Sequence, residues 1–456
     1  MTALAQDQLT SKLNRWLSLP HVMLVLRGTA VLMGGVYVWA AMRSHSMNAD
    51  GISYLDIGDA YMRGDWDVAV SAVWSPLYSW LVGPLLAMFK PSMRWEFPFV
   101  QAVNFAVYIL ALVSFEYLWR SAWRCQMARL AAIRGLLFWP ERAWWLIGYL
   151  LFIWATLTQI EIWSVTPDML MAALLFVAAG LLLRTRAGDV RWSTFAALGL
   201  VLGLGYLSKS IMFPISLALL GVALISAENL RQSASRVLGA LTIFLAITLP
   251  FIYLISVKAG HITFGEAGTI TYLRHVNGIP FSHWQGIPPG NGSPMHPSRQ
   301  VLDHPPIYEF GAPIEGTYPI ALDPLYWVEG AETRLNPQRQ TGLLLESALF
   351  YIDLFVRQFG GIFAGVFILY LSSKIEKPAI RVRVRNWSLA LVGLSGLVLY
   401  APVLVEGRYI GAFMLLLMAD LLGNISPADR PGARKLITGV TVIIAAVLLA
   451  NLAYST

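Results

Sequence analysis

Apolar segments long enough to cross a lipid bilayer recur along the whole 456-residue chain. A spanning helix needs about 20 mostly apolar residues, and this criterion predicts eleven spans. They cover residues 22–41, 97–119, 143–160, 169–183, 193–208, 211–227, 237–257, 344–371, 387–404, 410–423 and 436–453. Only 13% of the residues are charged, about half the share in a typical soluble protein. We therefore expect an all-α integral membrane protein, since neither a soluble nor a disordered chain has this composition.

One further apolar stretch, residues 76–89, has only about 14 residues and suits an interfacial or re-entrant helix better than a span. If it does not cross and the N-terminus is cytoplasmic, twenty of the 33 Lys and Arg residues fall on inner loops, as the positive-inside rule requires. Counting it as a span would place the basic cluster between 120 and 142 outside. We predict a multi-pass protein of the plasma (inner) membrane, with the net charge of +7 reflecting topology and not nucleic-acid binding.

The predicted topology divides the chain into three parts. Residues 1–257 form an N-terminal membrane module whose first outer loop is 42–96, and its first helix is a retained anchor because no small-residue cleavage site follows it. Residues 258–343 form a large extracytoplasmic loop, rich in Pro, Gly and aromatic residues, which we expect to be an ordered cap. Residues 344–456 supply the C-terminal helices. The single cysteine, Cys125, excludes an internal disulfide and a cysteine-based zinc site.

Acidic candidates lie beside the outer ends of predicted spans, where a low-dielectric wall readily shifts pKa values. Asp50 and Asp56 follow the first span; Asp50 is either a functional carboxylate or the N-cap of a surface helix. Glu161 and Asp168 flank the next outer turn. Thr166 before a proline is a helix-start signal that explains Asp168 as a partner of the helix dipole, but it does not explain Glu161.

Two basic residues on outer turns depart from the positive-inside trend. Lys209 lies in a tight turn between apolar segments, where it could snorkel to lipid headgroups or bind a phosphate. Arg408, in the sequence Glu406-Gly407-Arg408-Tyr409, could present its fork to a phosphate or pair with Glu406. The chain contains no phosphate-binding loop, nucleophile elbow or HExxH sequence. A divalent cation on Asp50, Glu161 and Asp168 is possible, although no spacing demands one.

Together these short motifs resemble the GT-C superfamily of membrane glycosyltransferases, which includes protein O-mannosyltransferases and the aminoarabinose transferase of lipid A. The stretches that carry the resemblance are 48–54 (NADGISY), 74–78 (WSPLY), 166–168 (TPD), 205–209 (GYLSK) and 406–409 (EGRY). Two departures are visible: Asp50 is followed by Gly51 where the family often has a second acid, and Trp74-Ser75-Pro76 replaces the His-Pro-Pro of the O-mannosyltransferases.

The resemblance implies an inverting glycosyltransferase with a GT-C-like fold, acting on the outer face in the formation of a cell-envelope glycan. Its donor would be a polyprenyl-phosphate sugar held among membrane lipids, and its acceptor a hydroxyl of a glycan, lipid or protein. Asp50 would be the catalytic carboxylate. The substrate-binding candidates are Asp56, Glu161, Asp168, Lys209, Glu406, Arg408 and Tyr409.

The location of the polar residues distinguishes this function from others. A transporter or flippase of lipid-linked sugars would place polar residues near the midplane, in paired halves with broken helices. A glycan polymerase or ligase would also use outer loops and outer arginines, but on a donor that already carries an oligosaccharide. A purely structural scaffold leaves the outer acids and bases unexplained.

Overall fold

The computed structural model describes residues 18–132, 135–226, 230–281, 284–309, 316–372 and 386–455. The predicted cytoplasmic N-terminus (1–17) and the basic stretch 373–385 lie outside these ranges. Every segment predicted to span the bilayer contains a helix. The helices are α1 (Leu19–Ser44), α2 (Ala49–Arg63), α3 (Trp66–Ala69), α4 (Leu77–Phe89), α5 (Met93–Ala132), α6 (Glu141–Ile153), α7 (Asp168–Arg186), α8 (Trp192–Ser208), α9 (Met212–Ile225), α10 (Leu230–Ala259), α11 (Ala267–His275), α12 (Pro319–Leu322), α13 (Pro337–Asp353), α14 (Gly360–Leu371), α15 (Ser388–Tyr400), α16 (Gly407–Gly423) and α17 (Ala433–Ser455).

Five of the described helices are long and apolar enough to cross a membrane, namely α1, α5, α7, α10 and α17. A bent pair made of α13 and α14 gives a sixth, and α4, α8, α9 and α15 are shorter apolar helices. The chain is therefore a multi-pass membrane protein. The total of eleven spans and the direction in which they point stay predictions.

The segment 344–371, expected as one span, is broken. Helix α13 continues as a π-helical turn, Leu354–Gln358, and α14 then leaves at 71°. Glycines at 360 and 361 follow the turn, and such combinations of glycine and π-turn are common sites of sharp kinks. The carbonyl of Gln358 accepts a hydrogen bond of 2.7 Å from Asn451 Nδ2, and its side chain accepts one of 2.8 Å from Trp154 Nε1. These contacts satisfy polar groups that the break leaves unpaired.

The bundle is held together by aromatic side chains packed against small residues. Trp119 and Trp144 are fully buried and stack with ring centroids 4.3 Å apart. Gly148 lies against Trp119, where an added Cβ would come within 2.4 Å of the indole nitrogen. Small residues allow this close approach between helices in a membrane protein, where packing rather than the hydrophobic effect drives association.

Helices α2 and α4 form a two-helix plate at one end of the bundle. An added Cβ on Gly83 would lie 2.6 Å from the carbonyl oxygen of Gly58, so the two backbones touch. Ser79 Oγ donates a 2.8 Å hydrogen bond to the carbonyl of Tyr54. With 13 residues, α4 is about 20 Å long, which is shorter than the hydrocarbon core of a bilayer. This length agrees with the interfacial helix predicted over 76–89.

The long loop contains ordered structure in its described residues. Helix α11 is followed by an antiparallel hairpin, β1 (Arg299–Leu302) and β2 (Ile307–Glu309), by α12 and by a 3-10 turn, Tyr326–Val328. Trp74 Nε1 donates to the carbonyl oxygens of Ala321 and Leu322, each at 3.0 Å. The loop therefore packs on the segment that joins α3 to α4. Helix α13 begins at Pro337, inside the predicted loop 258–343, and the limit of the extracytoplasmic part stays a prediction.

Connecting segments meet in two groups at opposite ends of the bundle. At one end, called the site end here, the loop 258–336 contacts the segment 42–96, as where Glu266 N–H donates to Ala72 O at 2.7 Å. At the opposite end, Leu137 N–H donates to Pro427 O at 2.8 Å. Which of the two ends faces the outside of the cell stays a prediction.

Candidate active site

A cavity of about 610 Å³ lies at the site end. Its polar wall carries Asp50, Asp168, Lys209, Arg408 and Tyr409, and the first residues of the long loop, 261–269, close another side. The apolar part of the wall includes residues at or next to helix ends, namely Ile211, Pro214, Leu399, Val403 and Leu404. A volume of this size is typical of a small-molecule site.

Asp50 lies in the first turn of α2, with its side chain one-third exposed toward the cavity. The N-cap position is occupied by Asn48, so the interpretation of Asp50 as a helix N-cap is wrong. One carboxylate oxygen of Asp50 accepts a 3.0 Å hydrogen bond from the guanidinium of Arg408. The start of α2 therefore places Asp50 at the cavity, and Arg408 from the other half of the chain neutralises its charge.

Arg408 belongs to the first turn of α16, which begins at Gly407. Its Nε donates to Glu406 at 2.8 Å and a terminal nitrogen donates to the hydroxyl of Tyr409 at 3.1 Å, in addition to the contact with Asp50. An added Cβ on Gly407 would meet the side-chain oxygen of Gln159 at 2.8 Å. Glycine at this position lets α16 begin close to the π-helical turn Trp154–Gln159 that follows α6, which brings Arg408 to the cavity wall.

Lys209 ends α8 and begins the turn that leads into α9. Its ammonium pairs with Asp168, the first residue of α7, whose side chain is only 1% exposed. Burial lowers the pKa of Lys209, and the carboxylate of Asp168 acts in the opposite direction. The snorkelling interpretation is wrong for this lysine, because its charged end points to a buried carboxylate and not to the lipid surface.

Tyr409 connects the two ion pairs. The ammonium of Lys209 lies 4.1 Å from the centre of its ring, while its hydroxyl accepts the hydrogen bond from Arg408. The ring also stacks on Tyr400 at 4.9 Å with an angle of 13° between the planes. A cation over the face of an aromatic ring is stabilised by the ring quadrupole. Tyr409 therefore fixes the spacing between the two cations of the site.

Three predicted substrate-binding residues do not line the cavity: Asp56, Glu161 and Glu406. Both oxygens of Asp56 accept hydrogen bonds from Thr317, at 2.7 and 2.8 Å, which fastens the long loop to α2. Glu406 holds Arg408. Partial burial raises the pKa of Glu161, with Arg408 opposing this and Glu406 adding to it. Substrate binding by these three residues stays a prediction.

Glu161 also has an unusual backbone conformation, with φ at 61°. Few residues other than glycine adopt this left-handed region. The residue stands directly before the turn that leads to Asp168, and Gln159 beside it contacts the start of α16. The strained position is therefore part of the tight turn that joins the π-helical turn Trp154–Gln159 to α7, beside the start of α16.

The comparisons with known proteins point to one kind of solved structure. ArnT from Cupriavidus metallidurans in the apo state is similar to this chain with a TM-score of 0.48 and 15% identity, covering 87% of this chain. This chain spans 58% of the length of that protein. The same ArnT bound to undecaprenyl phosphate gives a TM-score of 0.40 and 14% identity, covering 95% of this chain and 77% of that one. No protein-family model matches the chain, and no curated protein matches it.

ArnT is an aminoarabinose transferase of the GT-C class, the class that the sequence motifs resemble. An identity of 15% carries no information about the substrate of this chain. The chemistry of the cavity has to follow from its own contacts.

Among the residues of the cavity wall that sequence reasoning missed are His261 and Glu266. His261 Nε2 lies 3.0 Å from Glu266 Oε1, and the backbone N–H of Glu266 bonds to Ala72 O. Burial of the Glu266 carboxyl would raise its pKa, but hydrogen bonds from Thr263, Thr269 and His261 outweigh it and hold the pKa below its usual value. The only signal in the sequence was the position of Glu266 before a short amphipathic helix.

The sequence leaves two interpretations open for Trp284, Tyr318, Tyr326 and Trp327 of the long loop: they could stack on sugar faces or form the core of the loop. Trp284 is buried with Leu273, Ile279 and Val328 in a small core of the loop itself, and Trp327 is also buried. Tyr318 and Tyr326, like these two, are absent from the cavity wall. For the two tryptophans, the alternative interpretation as loop core describes the structure.

The part of the chain that the structure describes contains no preformed set of metal ligands. No three His, Cys, Asp or Glu side chains come together there as a metal site requires. Asp50 and Asp168 are each paired with a cation of the protein, and the binding of a divalent cation to them stays a prediction. The arrangement instead combines an accessible carboxylate with two fixed positive charges beside an apolar wall. Such a set can accept a proton and stabilise an anionic leaving group in the same cavity.

Proposed function

We propose that this protein is an inverting glycosyltransferase that moves a sugar from a polyprenyl-phosphate donor to an acceptor hydroxyl at the outer face of the membrane. The observation that carries the proposal is the contact of Asp50 with Arg408 at 3.0 Å in the cavity that also holds Lys209. A candidate base and two phosphate-binding cations are thereby within reach of one bound molecule. The donor class is the one that the motif resemblance implies.

The donor phosphate binds between Lys209 and Arg408. Arginine offers a bidentate fork to phosphate oxygens and lysine a compact charge. Both side chains are largely buried, with exposed fractions of 21% and 25%, so their charges act in a water-poor environment where electrostatic stabilisation is strong. The lipid chain leaves along the apolar wall formed by Ile211, Pro214 and Leu404.

The reaction is a single displacement at the anomeric carbon. The acceptor oxygen attacks from the face opposite the phosphate, and its proton passes to the carboxylate of Asp50. The new bond joins the acceptor oxygen to the anomeric carbon as the bond from that carbon to the phosphate oxygen breaks. Polyprenyl phosphate leaves with the electron pair, and Lys209 and Arg408 stabilise its developing charge. The configuration at the anomeric carbon is inverted.

Asp50 suits the role of proton acceptor better than Asp168. The side chain of Asp50 is 33% exposed toward the cavity, whereas that of Asp168 is 1% exposed and covered by Lys209. Asp168 therefore holds the lysine in place. Glu406 acts in the same way on Arg408, since it accepts a 2.8 Å hydrogen bond from Nε.

The location of these groups at helix ends, rather than near the middle of the bundle, distinguishes the proposal from a flippase or transporter. Alternating access requires polar binding groups near the midplane. In this structure the paired charges lie at the start of α2, α7 and α16 and at the end of α8. A glycan polymerase or ligase would use similar chemistry, and the test below distinguishes it by its donor, which already carries an oligosaccharide.

The test uses purified protein in lipid nanodiscs with a panel of polyprenyl-phosphate monosaccharides and an extract of cell-envelope lipids and glycans as acceptors. We expect release of polyprenyl phosphate and transfer of the labelled sugar. Asp50→Asn should lower turnover at least 100-fold, while Asp59→Asn, a matched control in an exposed pair with Arg63 on the same helix, should keep it. Normal turnover by Asp50→Asn would refute the role of this carboxylate. Activity only with donors that carry an oligosaccharide would instead establish a polymerase or ligase.

A further inference from the structure

Three consecutive backbone carbonyls in the turn before α7 are each held by a side-chain amide. Gln101 Nε2 donates to Trp163 O at 2.7 Å, Asn104 Nδ2 donates to Ser164 O at 3.4 Å, and Asn48 Nδ2 donates to Val165 O at 3.2 Å. These three contacts form what we call the amide brace. Two of its members, at 101 and 104, come from α5, and the third precedes α2.

Asn48 differs from the other two because it bonds to the turn twice. Its Oδ1 also accepts a 3.0 Å hydrogen bond from the N–H of Val165, so the amide pairs with both polar groups of one residue. Asn48 occupies the N-cap position of α2 yet makes no side-chain hydrogen bond to the first turn of that helix. Asparagine at an N-cap normally accepts from the N–H two or three residues ahead. In this structure the side chain of Asn48 bonds to Val165 in another loop and does not stabilise the helix in that way.

The packing around Asn48 shows how close the two segments lie. An added Cβ on Gly51 would come within 2.7 Å of Val165 Cβ. Glycine after Asp50 therefore lets the start of α2 rest directly on the turn. The departure from the family pattern, Gly51 in place of a second acid, has its physical reason in this contact.

The two segments joined by Asn48 each carry a carboxylate of the cavity. Asn48 precedes Asp50 by two residues, and Val165 precedes Asp168 by three. We propose that Asn48 is a positioning residue that sets Asp50 against the Asp168–Lys209 pair, so that the proton acceptor and the phosphate-binding cation face the same bound donor. This inference rests on the proposed function and deepens it.

The consequence is specific to the catalytic step. The groups that bind the donor phosphate lie on other elements, Lys209 on the turn after α8 and Arg408 on α16. Arg408 keeps its contacts with Glu406 and Tyr409, and Lys209 keeps its contact with Tyr409. Removing the Asn48 contact therefore displaces Asp50 more than it displaces the phosphate ligands. Since a misplacement of about 1 Å at a reacting group can cost about 100-fold in rate, we expect Asn48→Ala to lower kcat 10- to 100-fold with donor KM changed less than threefold.

Two control variants separate positioning from a structural role. Asn48→Ser retains an N-cap residue, but the short serine side chain cannot bond to both polar groups of Val165. If Asn48 acted only as a helix cap, this variant would keep full activity. Asn104→Ala removes a contact to the same turn, and with it the hydrogen bond that Asn104 accepts from Tyr78 at 2.6 Å, without touching α2. We expect Asn48→Ser to lose kcat like Asn48→Ala, and Asn104→Ala to lower thermal stability with a smaller loss of kcat.

The experiment measures steady-state kcat and KM for the donor with the wild type and the three variants in nanodiscs, together with hydrogen exchange at the amide of Val165. Faster exchange in Asn48→Ala than in Asn104→Ala, accompanied by the loss of kcat, supports the proposal. Wild-type kcat in Asn48→Ser, or equal losses of kcat in Asn48→Ala and Asn104→Ala, would overturn it. If the wild type itself shows no transfer, the proposed function fails, whereas the exchange result still reports whether Asn48 holds the turn.

Discussion

The carboxylate of Asp50 lies 3.0 Å from the guanidinium of Arg408, although 358 positions separate the two residues in the chain. This contact closes the cavity between the first outer segment and the start of α16. A second pair, Asp168 with Lys209, lies beside it, and Tyr409 touches the cations of both. Each positive charge of the site is thus held by a carboxylate before any ligand binds.

Loss of the guanidinium at 408 should weaken binding of the donor headgroup. Arg408→Gln removes a charge that is three-quarters buried, and hydrogen bonds to charged groups are worth about 1.5–3 kcal/mol. We expect the Kd for undecaprenyl phosphate to rise at least tenfold, measured by titration of the protein in nanodiscs. The matched control is Arg357→Gln, which removes the same group from an exposed pair with Asp353. Equal affinities for both variants would contradict the role of Arg408.

The ring of Tyr409 should matter more than its hydroxyl. Tyr409→Phe keeps an aromatic face beneath the ammonium of Lys209, whereas Tyr409→Leu removes it. Because a cation–π contact contributes about 0.5–2 kcal/mol, we expect the leucine variant to bind undecaprenyl phosphate several-fold more weakly than the phenylalanine variant. The same titration measures it. Phenylalanine and leucine variants that bind alike would show that the ring does not hold the lysine.

Stability should depend on pH through Glu266. The pKa of this carboxyl is held below its usual value of 4.5 in the folded protein, so its contribution is present above about pH 4.5 and is lost as the pH falls through the lowered pKa. We expect Glu266→Gln to lower Tm at pH 7 and to differ less from the wild type below pH 4. Thermal unfolding at both pH values tests this. In Glu309→Gln, which alters an exposed pair with Arg299, Tm should stay near that of the wild type at pH 7.

Substitution of glycine should have opposite effects at two positions. A methyl group on Gly83 would lie 2.6 Å from the carbonyl of Gly58, so Gly83→Ala must separate α2 from α4, and overpacking of this kind costs about 1–3 kcal/mol. Gly221, in α9, has no atom within 4 Å of an added Cβ, and alanine there should be neutral or stabilising. The Tm of each variant, measured in the same detergent, distinguishes them. A Tm for Gly83→Ala at or above that of the wild type would mean that the two helices do not touch.

The positions of the helices could be predicted from the sequence because each span must bury its backbone in an apolar segment of fixed length. Even the short helix α4 could be recognised by its length. The break at Phe359 could not, since the hydrogen bonds made to Gln358 beside it come from Asn451 and Trp154, which lie far away in the chain.

The candidate site divides in the same way. Asp50, Asp168, Lys209 and Arg408 could be chosen because ionisable groups beside apolar helix ends are rare and costly. Their pairing could not be predicted, because no local pattern indicates that Asp50 meets Arg408 rather than a nearer cation. Asn48 looked like an ordinary residue before a helix, and its bond to Val165 depends on a contact 117 positions away.

The separation of the pairs along the chain also orders the assembly of the site during synthesis. Asp168 and Lys209 are 41 positions apart and can pair once α8 has entered the membrane. Asp50 has to wait until α16 has been translated and inserted, since Arg408 stands 358 positions later. In a nascent chain that ends before Arg408, Lys209 can already be paired with Asp168, whereas Asp50 still lacks its partner Arg408. The proton acceptor is thus the last group of the site to be secured.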